Sequence, residues 1–268
     1  MSMPSNLYFE IVGQPLPRWK QRLEKELAFR SEFADLNEDD WRGLLQNRRI
    51  ASSNHDTVLS LDWPHFCGHA TPACGGPEGW CYTFQGNQAG KLHNRHAAMV
   101  DVLARTYPIV FGEAVLAEVE DAVEKGLLPY PNIRYSGSGE VIEAYLPALE
   151  QTASRGVHLW GFTRNLFVAE ALRQMGAAVI VSCDQTSRHE FIHEAQAAGF
   201  PLAYTSSSVN DHPPQGTVVT FPIHRVGRVR EVVDSPSLCP KVLSDFLDDC
   251  RPEAACQKLC QRCHKPKI

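Results

Sequence analysis

Between residues 132 and 223 the chain keeps repeating one pattern: a short, β-branched apolar run followed by a polar turn, with helical stretches between several of the runs. The runs are NIRYS (132–136), VHLWGFT (157–163), AAVIVSC (177–183), PLAYTS (201–206) and GTVVTFPI (216–223). TVLSL (57–61) is an earlier sixth. The helical pieces VIEAYLPALEQTASRG, NLFVAEALRQMG and HEFIHEAQAAG are 11 to 16 residues long, as βα crossovers require. The pattern predicts an α/β fold on a parallel sheet. Six strands fit an open or partial (β/α)6-type barrel better than a closed eight-stranded one, with an ordinary doubly wound sheet as the alternative.

The flanks differ from this alternation. Residues 1–56 read as a helical N-terminal extension. Trp19, Leu23 and Leu27 fall four residues apart on one helical face. Asn37 is placed to cap the next helix, with Asp39 and Asp40 in its first turn. Residues 57–230 read as the α/β partial barrel. It includes a loop rich in Gly, Pro, His and Cys, then helices at 94–107 and 113–127. Residues 231–268 form a cysteine-rich, metal-binding C-terminal tail.

The chain has nine cysteines, an odd number that rules out complete internal pairing. The N-terminus lacks an apolar signal core, and no stretch approaches the roughly 18–20 apolar residues of a membrane span. The expectation is a cytoplasmic protein without membrane contact. In a reducing compartment a thiol array points to metal or catalysis rather than to disulfides. The net charge of −5 gives no support for a nucleic-acid partner. The arginines at 225, 228 and 230 read as a solvated face.

Two cysteine groups stand out. Cys67, Cys74 and Cys81 are separated by six and six intervening residues, in a loop that contains Gly68, Gly75, Gly76 and Gly79. Glycines at that density suit a loop wrapping a metal better than a packed core. Thiolates are soft ligands, suited to an iron–sulfur cluster or to zinc. For zinc, His65 or His69 could complete the set. Cys239, Cys250, Cys256, Cys260 and Cys263 form the second group, with x3 and x2 spacings at its end. Cys183 stands alone at a strand end and reads as a buried structural thiol.

Ligands of parallel sheets bind at the carboxyl ends of strands. That rule selects Ser136–Glu140, Thr163–Asn165, Cys183–Gln185 and Thr205–Ser208. Arg164 and Asn165 could hold a carboxylate, which a guanidinium fork matches. Asp184 could take a ribose hydroxyl or a proton, and Glu140 could be catalytic. Asn165, Asp184 and Glu140 could equally belong to helix starts. His93 and His96 share one helical face. GxGxxG, P-loop and GxSxG motifs are absent.

A cysteine loop after the first strand, Trp80 before its third cysteine, and the GSGE turn after the next strand together resemble radical S-adenosylmethionine enzymes. The resemblance implies a partial (β/α)6 barrel. It also implies a 4Fe-4S cluster on Cys67, Cys74 and Cys81, and S-adenosylmethionine held at Gly137, Ser138, Gly139 and Glu140. The tail cysteines resemble that family's auxiliary-cluster extensions. An electron donor and a small-molecule or peptide substrate would follow. The family's usual three-then-two spacing appears here in the tail, at Cys256, Cys260 and Cys263, instead of in the loop. The overall layout of residues 60–265 also resembles a phage-encoded family of cysteine-rich proteins. Rival readings are an electron-transfer iron–sulfur protein without that cofactor and a zinc-stapled binding protein.

Overall fold

The apolar runs of the sequence become strands whose larger apolar face is covered by the connecting helices. The computed structural model describes residues 18–54, 58–75, 90–206 and 212–222. Seven strands form one sheet: β1 (Ala51–Asn54), β2 (Val58–Asp62), β3 (Asn132–Ser138), β4 (His158–Thr163), β5 (Ala178–Asp184), β6 (Leu202–Ser206) and β7 (Thr217–Pro222). Their spatial order equals their chain order. β1 pairs antiparallel with β2, and every later pair is parallel.

The described helices are α1 (Arg18–Leu27), α2 (Glu38–Leu45), α3 (Pro72–Gly75), α4 (Lys91–Thr106), α5 (Pro108–Glu124), α6 (Leu146–Ser154), α7 (Leu166–Gln174) and α8 (His189–Ala197). Among the described strands the order never reverses, so they lack the switch point of a doubly wound fold, and that alternative fails for them. The sheet is open, with β1 and β7 at its edges. With right-handed crossovers, a one-way order brings the connecting helices to a single face.

Side-chain alternation shows the consequence. Leu59, Leu61, Ile133, Tyr135, Leu159, Val179, Val181, Leu202 and Tyr204 join one large core with residues of α4 to α8. On the opposite face Ile180, Ala203 and Val219 form a separate small cluster with Phe162 and Phe221. The same face carries polar groups toward β3. Asn132 accepts from the Trp160 indole at 3.2 Å, and the Arg134 guanidinium lies 5.1 Å over the Phe162 ring.

The N-terminal region is not only helical, because β1 adds an edge strand from within it. Ala-Ser-Ser-Asn has little strand propensity of its own. It is held by its ladder with β2, while Glu118 of α5 accepts from the backbone N–H groups of Ile50 and Ala51 at 2.5 and 3.0 Å. Phe33, Trp41 and Ile50 enter the main core, so α2 and β1 belong to the same hydrophobic body as the sheet. Asn37 caps α2 as expected, through a reciprocal box with Asp40 at 3.0 and 3.1 Å.

Candidate functional site

The cysteine-bearing loop leaves β2 at Trp63, and that exit is fixed. The Trp63 ring stacks on Tyr145 at 4.3 Å and on Phe111 at 5.8 Å, and its indole N–H donates to the Tyr135 carbonyl at 2.5 Å. Two anchors then hold the loop against the body. The first is α1. Its face of Trp19 and Leu23, expected from the four-residue spacing, packs on Ala70 with Phe66 and Cys67 alongside. Glu26, fully buried on that helix, accepts from the His65 backbone N–H at 2.7 Å, bonds His65 Nδ1 at 2.8 Å and accepts from Arg22 Nε at 2.9 Å. Burial pushes the Glu26 carboxyl up, but the hydrogen bonds and charge of His65 and Arg22 outweigh it and hold it below its ordinary value. The His65 ring is thus turned toward α1.

The second anchor is the carboxyl end of β5. Thr71 donates to Asp184 Oδ2, and the Ala73 N–H donates to Thr186 Oγ1 at 3.2 Å. Asp184 also accepts from Arg164 Nη2 at 2.9 Å, from the Thr186 N–H at 2.8 Å and from the Thr186 hydroxyl at 2.7 Å. Burial raises the Asp184 pKa, while Arg164, Thr71 and Thr186 lower it by more, so the carboxyl stays below its ordinary range. With both oxygens engaged and the charge held, Asp184 suits positioning better than proton transfer.

Arg164 lies between the strand ends and the loop and is only 8% exposed. Burial works against its charge, but the Cys74 sulfur and the Asp184 carboxylate more than compensate, and its pKa is raised. Its Nη1 has no hydrogen-bond partner among the described residues. A buried guanidinium N–H left open is costly unless something meets it. Beside it lies a cavity of about 80 Å³ lined by Gly68, His69, Ala70, Thr71, Ser187, Arg188 and Phe191. Such a space takes a terminal group such as a carboxylate, not a whole ligand.

Glu140 sits on the other side of Arg164. It accepts from Thr163 Oγ1 at 2.7 Å. Burial pushes its carboxyl up to about 7, against the lowering pull of Thr163 and Arg164. Asn165 is spent on structure, because its side chain caps α7 by accepting from the Val168 N–H at 3.2 Å. Gly137 and Gly139 are explained by the close approach of β2. A Cβ on Gly137 would stand 2.5 Å from Ser60 Oγ and 2.6 Å from Asp62 Oδ1. Gly139 has φ +69°, and a Cβ there would overlap the Trp63 carbonyl oxygen. The Ser138 hydroxyl lies 3.0 Å from His93 Nε2, and the Ser138 carbonyl accepts from the Trp63 N–H at 3.0 Å.

The chain matches no protein-family model, no curated protein and no solved structure.

Of the eight predicted cysteine ligands, Cys67 and Cys74 are described, both half-buried on the anchored loop. Cys81, Cys239, Cys250, Cys256, Cys260 and Cys263 lie outside the described residues, as do Arg225, Arg228 and Arg230 and the Ser207–Ser208 end of the fourth predicted cluster. Among the described residues, no three His, Cys, Asp or Glu side chains converge as a metal-holding group. Cys183 is fully buried, its thiol pushed up to about 12 by burial, as fits a structural residue. No described helix is long and apolar enough to cross a membrane.

The sequence reading missed Asp62, Thr71, Glu26 and Thr186. Asp62 was within reach of the strand-end rule, which selects the ends of four of the six predicted runs and leaves out the first and the last. Thr71 and Thr186 are hydroxyls in loops, and Glu26 is one more acid on a polar helix, so nothing local marks them.

Proposed function

We propose that the chain is an iron–sulfur enzyme in which Cys67, Cys74 and Cys81 hold a 4Fe-4S cluster over the carboxyl edge of the sheet. The C-terminal cysteines would hold a second, auxiliary cluster. The observation that carries this reading is the junction of Thr71, Asp184, Arg164 and Cys74. It ties a cysteine loop, through hydrogen bonds of Thr71 and Ala73, to a buried Arg164–Asp184 ion pair at the strand ends where parallel sheets bind ligands. The uninterrupted parallel order from β2 to β7 supports a partial (β/α)6 barrel as the finer description.

Three cysteines leave one iron of a cubane for an exchangeable ligand, and S-adenosylmethionine is the ligand proposed. The residues present fit that group. Arg164 lines the small cavity, and its guanidinium matches a carboxylate. When bound, such a cluster supplies one-electron chemistry, and the protein supplies position and electrostatics. In this chain Arg164 would orient the cofactor carboxylate, and Asp184 would hold Arg164. Glu140, whose carboxyl exchanges its proton near neutrality, would hold or release a proton beside them.

Iron, sulfide and zinc analysis of protein purified without oxygen, with its ultraviolet–visible spectrum, tests the reading. Iron and sulfide in equal amounts with broad absorbance near about 400 nm are expected. Zinc without iron would replace the enzyme reading with a zinc-stapled binding protein. Iron–sulfur content without S-adenosylmethionine binding would leave an electron-transfer protein.

A further inference from the structure

A second cavity, of about 490 Å³, opens away from the small one, between the β1–β2 edge and the first turns of α4. Its volume falls in the range of about 300–1,000 Å³ typical of small-molecule sites. Arg48, Arg49 and Arg95 stand around it, His93 and His96 line its wall, and Asp62 is its one acidic lining residue among the described residues. Phe33, Leu92 and Met99 add apolar surface. Leu92 is 82% exposed there.

The positive charge is only partly answered by the protein. Arg95 pairs through Nε with Glu32 at 2.5 Å while its guanidinium lies 5.7 Å over the Phe33 ring. Arg49 reaches only 3.7 Å from Asp121, with both side chains largely exposed. Arg48 has no carboxylate within ion-pair distance among the described residues, and its charge is felt at His96. Both histidines are committed. His93 Nε2 meets the Ser138 hydroxyl and His96 Nε2 meets the Ile50 carbonyl at 2.9 Å. Burial lowers the pKa of each ring, with the Asp62 charge opposing. The arginines therefore carry the site's charge near neutral pH.

We infer that this cavity binds a phosphorylated small molecule with a ring-bearing body. Its phosphate would meet Arg48 and Arg49, and its apolar part would lie against Phe33, Leu92 and Met99. Guanidinium groups match phosphate oxygens in bidentate geometry. The inference does not depend on what metal the cysteine loop holds.

Calorimetric titration of the full-length protein, purified without oxygen, tests it with adenosine 5′-monophosphate and phenyl phosphate as probes and adenosine as the uncharged control. Arg48→Ala/Arg49→Ala changes two exposed side chains, and its urea-unfolding curve checks that the fold is kept. At least one phosphorylated probe should bind the wild type saturably and adenosine far more weakly. The double variant should bind that probe about tenfold to a hundredfold more weakly, as loss of charged hydrogen bonds implies. If neither probe binds, if adenosine binds as well as its phosphate, or if the folded variant binds like the wild type, the assignment is wrong. Should the double variant fail to fold, Leu92→Glu gives the same test, since a carboxylate at the mouth should repel the probe to a similar extent.

Discussion

Replacing Asp184 by asparagine isolates the junction that fixes the cysteine loop. The side chain keeps its volume and can still accept from the Thr186 N–H. What disappears is the charge 2.9 Å from Arg164 Nη2 and the acceptor shared with Thr71. The Arg164 side chain is 9% exposed and already has one open N–H, so the change strands a buried cation. Removing one partner of a buried pair costs about 3–5 kcal/mol, mostly from the charge left behind. Urea unfolding should show that loss as a lower midpoint with an unchanged slope. In Asp184→Asn/Arg164→Met both charges are gone, so the double variant should be more stable than the sum of the single losses implies, by about 2 kcal/mol. The depressed Asp184 pKa adds a sign. Its contribution is present above the ordinary carboxyl value and fades as pH falls through the folded value, so the penalty of Asp184→Asn should shrink in acid. A loss below about 1 kcal/mol at neutral pH, or strict additivity with Arg164→Met, would refute the claim that Arg164 and Asp184 form a buried, coupled ion pair where the loop is tied.

Three further outcomes are expected. Glu140 keeps its proton to about 7 in the fold against 4.5 ordinarily, so its contribution is full below about 4.5 and falls as pH rises toward 7. That gap corresponds to about 3 kcal/mol at most, and Glu140→Gln should flatten the decline; parallel stability–pH curves for the two proteins would contradict the assignment. Gly139→Ala, at φ +69° and against the Trp63 carbonyl, should destabilise by at least about 2 kcal/mol in thermal or urea unfolding, and a neutral result would mean the β2–β3 exits are not packed as described. Asn37→Ala should cost about 1 kcal/mol by the same unfolding assay, through loss of the α2 capping box.

The parallel sheet was legible because short apolar runs alternate with helical stretches, and all six predicted runs are strands. β1 was not, because Ala51–Asn54 owes its extension to β2 and Glu118 rather than to its own residues. α5 begins at Pro108, five residues before the periodic stretch suggested, because proline is favourable in a first helical turn. The strand order lay beyond the local pattern, which fits winding in one direction or two. At the site, the strand-end rule found Glu140, Arg164 and Asp184, since their positions follow from strand boundaries. It could not show that Asn165 is consumed by a cap or that Asp184 is saturated, because those facts depend on which way side chains turn. The anchors Glu26 and Thr71 act across 39 and 113 residues of chain, a separation that local spacing does not reveal.

The most direct test of the proposed cluster site compares iron per chain in the wild type and in Cys74→Ala, both purified without oxygen. A loss of about four irons, with the tail cluster's iron retained, is the predicted result. Unchanged iron content in the variant would contradict the placement of a cluster on this loop.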